Sequence, residues 1–162
     1  MEKLKHILFI FDYISALPIC IYASLVYTSV IQKDIYSFLF FIQLLVVDVF
    51  LVPFLKHLPY PNFIYNITRR PVGATNCDYL SKMPSTLNAP GLPSGHMTVT
   101  TMFSVAKMLE NKSTNSIILH SCIVVLMALA RYYKKCHNIV QIIAGTILGT
   151  ILGYISFHLY NN

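Results

Sequence analysis

Leu92-Pro93-Ser94-Gly95-His96, running directly into the apolar stretch Met97 to Leu109, decides how this chain is read. A helix that begins with Ser, Gly and His aims its first backbone N–H groups, and the positive end of its dipole, at whatever lies in front of it. Such an end binds anions. His96 adds a group that titrates near neutral pH, and Ser94 adds a hydroxyl able either to cap the helix or to bind an oxyanion. An ordinary N-cap beside a structural histidine explains the stretch as well, so the rest of the chain has to choose.

The apolar run after His96 is not isolated. Of 162 residues, 56% are hydrophobic and only 11% charged, which is a membrane protein's balance. Candidate spans run from about Ile7 to Tyr27, Tyr36 to Leu55, Gly95 to Leu109, Ser116 to Ala130 and Ile139 to Tyr160. The third and fourth are short and make sense if their polar ends, at His96 and Arg131, open into a pocket. The sequence therefore predicts an all-α fold, a multi-pass transmembrane helical bundle of about five spans, with residues 1–162 as one membrane-embedded domain. Lys3, Lys5 and His6 before an apolar stretch imitate a signal peptide, but the run to Ile31 is too long for one and lacks a cleavage site. The charge of +6 forms no solvated stripe, which argues against nucleic acid and for anionic lipid or a phosphorylated ligand.

Details within the spans read mostly as structural. Pro18 and Pro53 are expected to kink or end their helices. Asp12, Asp48, His120 and His158 are ionisable groups in apolar segments, expected to be hydrogen-bonded to neighbouring helices, with a functional role as the sharper alternative. Gly145, Gly149 and Gly153 form a double GxxxG face for close helix packing. Cys20, Cys77, Cys122 and Cys136 show no CxxC spacing, and no disulfide framework is expected. Between Lys56 and Leu92 lies a long, proline-rich connection, of the kind that is usually functional.

With five spans, that connection and the turn from Arg131 to Asn138 fall on the same membrane side as the N-terminus. Arg69, Arg70, His96, Arg131 and His137 then converge. Arg131 and His137, six residues apart, would stand about 240° apart on one helix, so a turn must separate them, with Gln141 on the face of His137 one turn further on. Arginine forks, a helix N-terminus and two histidines suit a tetrahedral phosphate: guanidinium groups neutralise its oxygens, one histidine attacks, and the other protonates the leaving group.

Arg70-Pro71, Pro93-Ser94-Gly95-His96, and Arg131 followed by His137 resemble, in order and spacing, the three-part signature of the type 2 phosphatidic acid phosphatase family, which includes the vanadium haloperoxidases. Ile142-Ile143-Ala144-Gly145 resembles the run that commonly comes after the third motif in that family, and the likeness covers about residues 60–150. The resemblance implies a membrane phosphohydrolase for a lipid phosphate or diphosphate, with no metal and no cofactor. His137 would be the nucleophile that forms a phosphohistidine, and His96 the acid for the departing alkoxide. Arg70, Ser94, the Gly95 amide and Arg131 would hold the phosphoryl oxygens.

Three positions depart from the pattern. The lysine of the first motif falls at Phe63, leaving Arg69 or Lys82 as substitutes. The aspartate of the third falls at Gln141, which can fix the tautomer of His137 but brings no negative charge. The serine before Arg131 is Ala130. If the missing charge limits the nucleophile, Gln141→Asp is expected to raise the rate. A non-catalytic relative that only binds lipid phosphates is the alternative, and a zinc site from Cys77, His96, Cys136 and His137 is a third reading without the usual ligand spacing. On sidedness the cues conflict. Nine Lys and Arg residues (3, 5, 56, 69, 70, 82, 131, 134 and 135) lie on the active side against three (33, 107 and 112) opposite, which favours the cytoplasm. A phosphate-binding pocket requires cations on either side, and the family leans outward, so the expected active face is lumenal or exterior.

Overall fold

The computed structural model describes residues 2–72, 74, 77 and 89–160, with backbone alone for residues 2–8 and 63. Among them the fold is all-α. The order is α1 (Glu2–Ser15), α2 (Leu17–Ile31), α3 (Ile35–Val46), a π-turn (Val47–Leu51), α4 (Val52–Lys56), a 3₁₀ turn (Asn62–Ile64), α5 (Tyr65–Thr68), α6 (Gly95–Glu110), α7 (Thr114–Tyr133) and α8 (Ile139–Tyr160).

Four segments are long and apolar enough to cross a membrane: Phe9–Ile31, Ile35–Lys56, Thr114–Tyr133 and Ile139–Tyr160. Their lipid-type surface shows in the exposure of Val30, Ile31, Phe50, Ile118 and Leu159. The chain is thus a multi-pass integral membrane helical bundle. The fourth expected span reaches further at both ends than its apolar core indicated, and at its start Ser113 Oγ caps it, accepting from Ser116 N–H at 3.3 Å. Of the five expected spans, α6 is the exception. Its 16 residues rise about 24 Å, short of a hydrocarbon core of about 30 Å.

That short helix is the centre of the bundle. Val99, Met102 and Ala106 pack with Ile21 and Leu25 of α2 and Phe40 and Leu44 of α3, while Met97 packs with Met127 of α7 and Ile142 of α8. Its closest partner is α8. A Cβ added to Gly145, Gly149 or Gly153 would stand 2.6, 2.5 or 2.6 Å from the carbonyl oxygens of Ser94, Thr98 and Met102. The small-residue face therefore brings two backbones together, as GxxxG faces do.

Both expected proline effects occur. Pro18 sits in the first turn of α2, after a break at Ala16. Pro53 follows the π-turn, where Val52 N–H bonds Val47 O, five residues back. The wide turn relieves the collision between a proline ring and the preceding turn of carbonyls. Lys134 Nζ pairs with Asp12 Oδ1 at 2.7 Å, whereas His120 meets Phe103 edge-on and His158 lies tilted on Tyr154; the hydrogen bond expected of His120 is not formed at its Nδ1, which is buried without a partner among the described residues.

Candidate active site

The turn after α7 sets the site's geometry. Lys135 takes a left-handed φ of 55°, Lys135 N bonds Tyr132 O, and Cys136 N bonds Arg131 O, so the helix ends in a Schellman motif. This reversal folds Cys136 and His137 back over Arg131. The side chain of Arg131 is fully buried, and its Nη1 donates to Cys77 O. Cys136 is disulfide-bonded to Cys77 across 59 residues. The expectation of no disulfide was wrong, because a bridge between distant loops leaves no local spacing to read. Two of the four ligands in the zinc reading are consequently bonded to each other.

Asn138 and Gln141 then open α8 as a reciprocal capping box. Asn138 Oδ1 accepts from Gln141 N at 3.0 Å, and Gln141 Oε1 accepts from Asn138 N at 3.3 Å. The same Oε1 lies 3.0 Å from His137 Nδ1. Gln141 Nε2 donates to Ile67 O at 2.8 Å and Arg69 O at 2.6 Å, which fixes which end of the amide faces the histidine. An amide oxygen only accepts, so His137 carries its hydrogen on Nδ1 and leaves Nε2 with an open lone pair. Gly91 is required beside this amide, since a Cβ there would come within 2.7 Å of it.

The first two motifs are tied together by backbone. Arg70 N bonds Ala89 O at 3.0 Å and Gly91 N bonds Thr68 O at 2.8 Å, an isolated bridge that lays residues 68–70 against 89–91. Pro71 favours an extended Arg70. The cis Leu92–Pro93 peptide leads to Ser94, whose N–H bonds Gln141 O. Its hydroxyl is buried with no hydrogen-bond partner among the described residues, as is Arg70 Nε.

Around a cavity of about 310 Å³ stand Arg70, Gly95, His96 and His137, together with Tyr22, Asp48 and Lys56. Four of the residues singled out in the sequence therefore meet. Arg131, Ser94 and Gln141 stand behind that wall, and Arg69 faces a neighbouring cavity. Burial, followed by the charges of Arg131, Arg70 and Lys56, pushes the His137 imidazole well below its ordinary value, so it is neutral at pH 7.

The family model of the PAP2 superfamily matches residues 35–162. The chain belongs to the PAP2 superfamily. No curated protein and no solved structure matches it. Membership makes this a phosphatase-type membrane protein. The residues whose spacing resembles the family signature have these places: Arg70 and His96 line the cavity, His137 N–H bonds Arg131 O, and Gln141 holds His137 Nδ1. Lys82 lies outside the described residues, and Phe63 is described by its backbone alone.

Lys56 was missed in the sequence, as was the placement of Asp48 on this cavity. Asp48, Val52 and Lys56 recur every four residues and all line it, and Tyr22 OH donates to Asp48 Oδ2 at 3.1 Å. The recurrence itself was visible at the end of the second span, but not the cavity that it faces. Asn138-x-x-Gln141 before an apolar run was likewise a readable capping box.

Proposed function

We propose that the protein is an integral membrane phosphohydrolase that removes phosphate from a lipid phosphate or diphosphate through a phosphohistidine on His137, within one domain spanning residues 1–162. The observation that carries this reading is the His137–Gln141 hydrogen bond at 3.0 Å, beside a cavity that also holds His96 and Arg70. With hydrogen on Nδ1, Nε2 is the nucleophilic atom. Nε2 attacks phosphorus, the P–O bond to the lipid breaks, and His96 gives its proton to the departing oxygen. Water then attacks the phosphohistidine, returns the proton to His96, and releases inorganic phosphate.

Charge stabilisation comes from Arg70, Arg131 and Lys56, with the Ser94 hydroxyl and the Gly95 N–H as neutral donors at the α6 N-terminus. Arg70→Ala and Arg131→Ala are each expected to cost roughly 3 kcal/mol of transition-state binding. Against a non-catalytic relative, for which the departures at Phe63 and Gln141 speak, stand Lys56 on the cavity and the Gln141 bond to His137. For the membrane face, the Cys77–Cys136 disulfide supports a lumenal or exterior site, because such bonds persist in oxidising compartments.

The test is phosphate release from phosphatidate, a sphingoid phosphate, phosphatidylglycerol phosphate and a polyprenyl diphosphate, with and without EDTA. Release by the wild type that survives EDTA and vanishes in His137→Ala is expected. Undiminished release by His137→Ala would refute the reading.

A further inference from the structure

At the other end of α6 from His96, a cavity of about 420 Å³ opens where α3 begins and where α6 and α8 end. Its base is made of Ser37, Ala106 and Ser156, one small buried residue from each helix, which together fill little space. Aromatic rings surround it: Tyr36, and Phe40 with Tyr160 at a centroid distance of 6.4 Å. Nearer to water stand Asp34, Lys107 and Glu110, with Lys107 Nζ paired to Glu110 Oε2 at 2.6 Å. The buried hydroxyls at the base are already engaged. Ser37 Oγ donates to Asp34 Oδ2 at 2.6 Å, and Ser156 Oγ donates to Leu152 O at 2.7 Å. Asp34 also accepts from Tyr36 N–H at 3.0 Å and Ser37 N–H at 3.3 Å, which closes the start of α3 to an anion. The Ser37 hydroxyl, against the opposing effect of burial, holds the Asp34 carboxyl below its ordinary value with help from those N–H groups and the charge of Lys107. Two carboxylates and one ammonium therefore meet at this mouth, so its formal charge is negative.

We propose that this cavity binds the phosphocholine headgroup of a bilayer phospholipid, with its trimethylammonium among Tyr36, Phe40 and Tyr160 and its phosphodiester on Lys107. A quaternary ammonium suits the interior because ring faces attract it, the carboxylates neutralise it, and it has no N–H to ask of the engaged hydroxyls. Lys107 has N–H donors beyond the one given to Glu110, and these reach an anion attached to that cation. The level fits a headgroup as well. One membrane-spanning segment begins at Ile35 and another ends at Tyr160, which sets the cavity at the membrane face opposite the catalytic one. There α6 stops at Glu110, too short to complete the packing across the bilayer, and the headgroup joins its end to α3 and α8. The bound lipid thus braces from behind the helix that carries His96. It is not a substrate, since its phosphodiester lies at the far end of α6, and the site stands whether or not His137 performs hydrolysis.

The experiment is native mass spectrometry of the full chain in maltoside micelles, with phosphatidylcholine, phosphatidylethanolamine or phosphatidylglycerol of identical chains added singly. Phosphatidylcholine is expected to bind with a Kd at least about fivefold below that of either other lipid. The ethanolamine ammonium must give up hydration of N–H groups that the base cannot replace, and phosphatidylglycerol brings a phosphate to two carboxylates without a cation. Tyr36→Ala and Glu110→Lys, both at exposed positions, should each remove most of that preference, whereas Ile151→Ala on the lipid-facing side of α8 should leave it. Excess soluble phosphocholine should displace the bound lipid, and glycerophosphate should not. Equal binding of the three lipids, or a preference that survives both Tyr36→Ala and Glu110→Lys, would overturn the site. Failure of phosphocholine to displace the lipid would show that the acyl chains alone hold it, and would overturn headgroup recognition.

Discussion

Gln141 Oε1 and His137 Nδ1 lie 3.0 Å apart, and the amide's direction is set from behind, where Nε2 donates to the carbonyls of Ile67 and Arg69. The Gln141→Asp expectation is thereby reversed. A carboxylate has no hydrogens for those carbonyls and would meet them with negative charge. We expect Gln141→Asp to lower the rate, and to destabilise the fold by roughly 1–3 kcal/mol for each carbonyl stranded. Phosphate release and thermal unfolding in detergent check both parts.

The depressed value of His137 sets the acid side of the pH profile. A neutral Nε2 is the reactive form, so protonation of His137 should not limit kcat/KM until pH lies well beneath the ordinary histidine value of about 6.5. Arg70→Gln, by removing one of the charges that oppose protonation, should move that limb upward. Stability follows the same sign. Between its folded and unfolded values His137 binds more protons when unfolded, so its contribution is undiminished above about 6.5 and declines as pH falls towards the folded value. Rate profiles of the two proteins measure the catalytic shift.

Gly149→Ala probes the α6–α8 contact. Alanine gains about 1 kcal/mol of helix propensity, but its Cβ would stand 2.5 Å from Thr98 O, which is backbone and cannot swing aside. A net loss of about 1–3 kcal/mol is expected. Ile151→Ala, on an exposed position two residues along, should cost far less in the same unfolding assay.

Much of this was legible in the sequence, for reasons that the structure makes physical. Arg70, Ser94 to His96, Arg131 and His137 sit in short motifs whose spacing is set by single turns, and the glycines of α8 repeat at one helical period. Lys56 was not legible as a site residue, because its facing depends on the π-turn at Val47–Leu51 that adjusts the register of Asp48, Val52 and Lys56. Gln141 looked like a lost aspartate since its other partners are backbone carbonyls more than seventy residues away. The Cys77–Cys136 bond was hidden by the same long separation.

That bond also yields a prediction. Reduction, or Cys136→Ser, releases the loop whose Cys77 carbonyl receives Arg131 Nη1, so phosphate release should fall while the helical circular dichroism signal stays. Unchanged activity after complete reduction would detach the bridge from the site.

Sidedness can be read from two sequons whose asparagines are exposed, Asn66-Ile67-Thr68 near the site and Asn111-Lys112-Ser113 after α6. In a glycosylating cell, a mobility shift abolished by Asn66→Gln and untouched by Asn111→Gln is expected for a lumenal site. Modification at Asn111 alone would turn the site to the cytoplasm.

The most direct measurement is of the covalent intermediate. Substrate labelled with ³²P in the terminal phosphate, mixed with the protein and quenched in alkali within the first turnover, should leave label on the chain. That label should be acid-labile and alkali-stable, as a phosphohistidine is. It should map to the peptide containing His137 and be absent from His137→Ala. Phosphate release by the wild type with no such label, or label that persists in His137→Ala, would contradict the account.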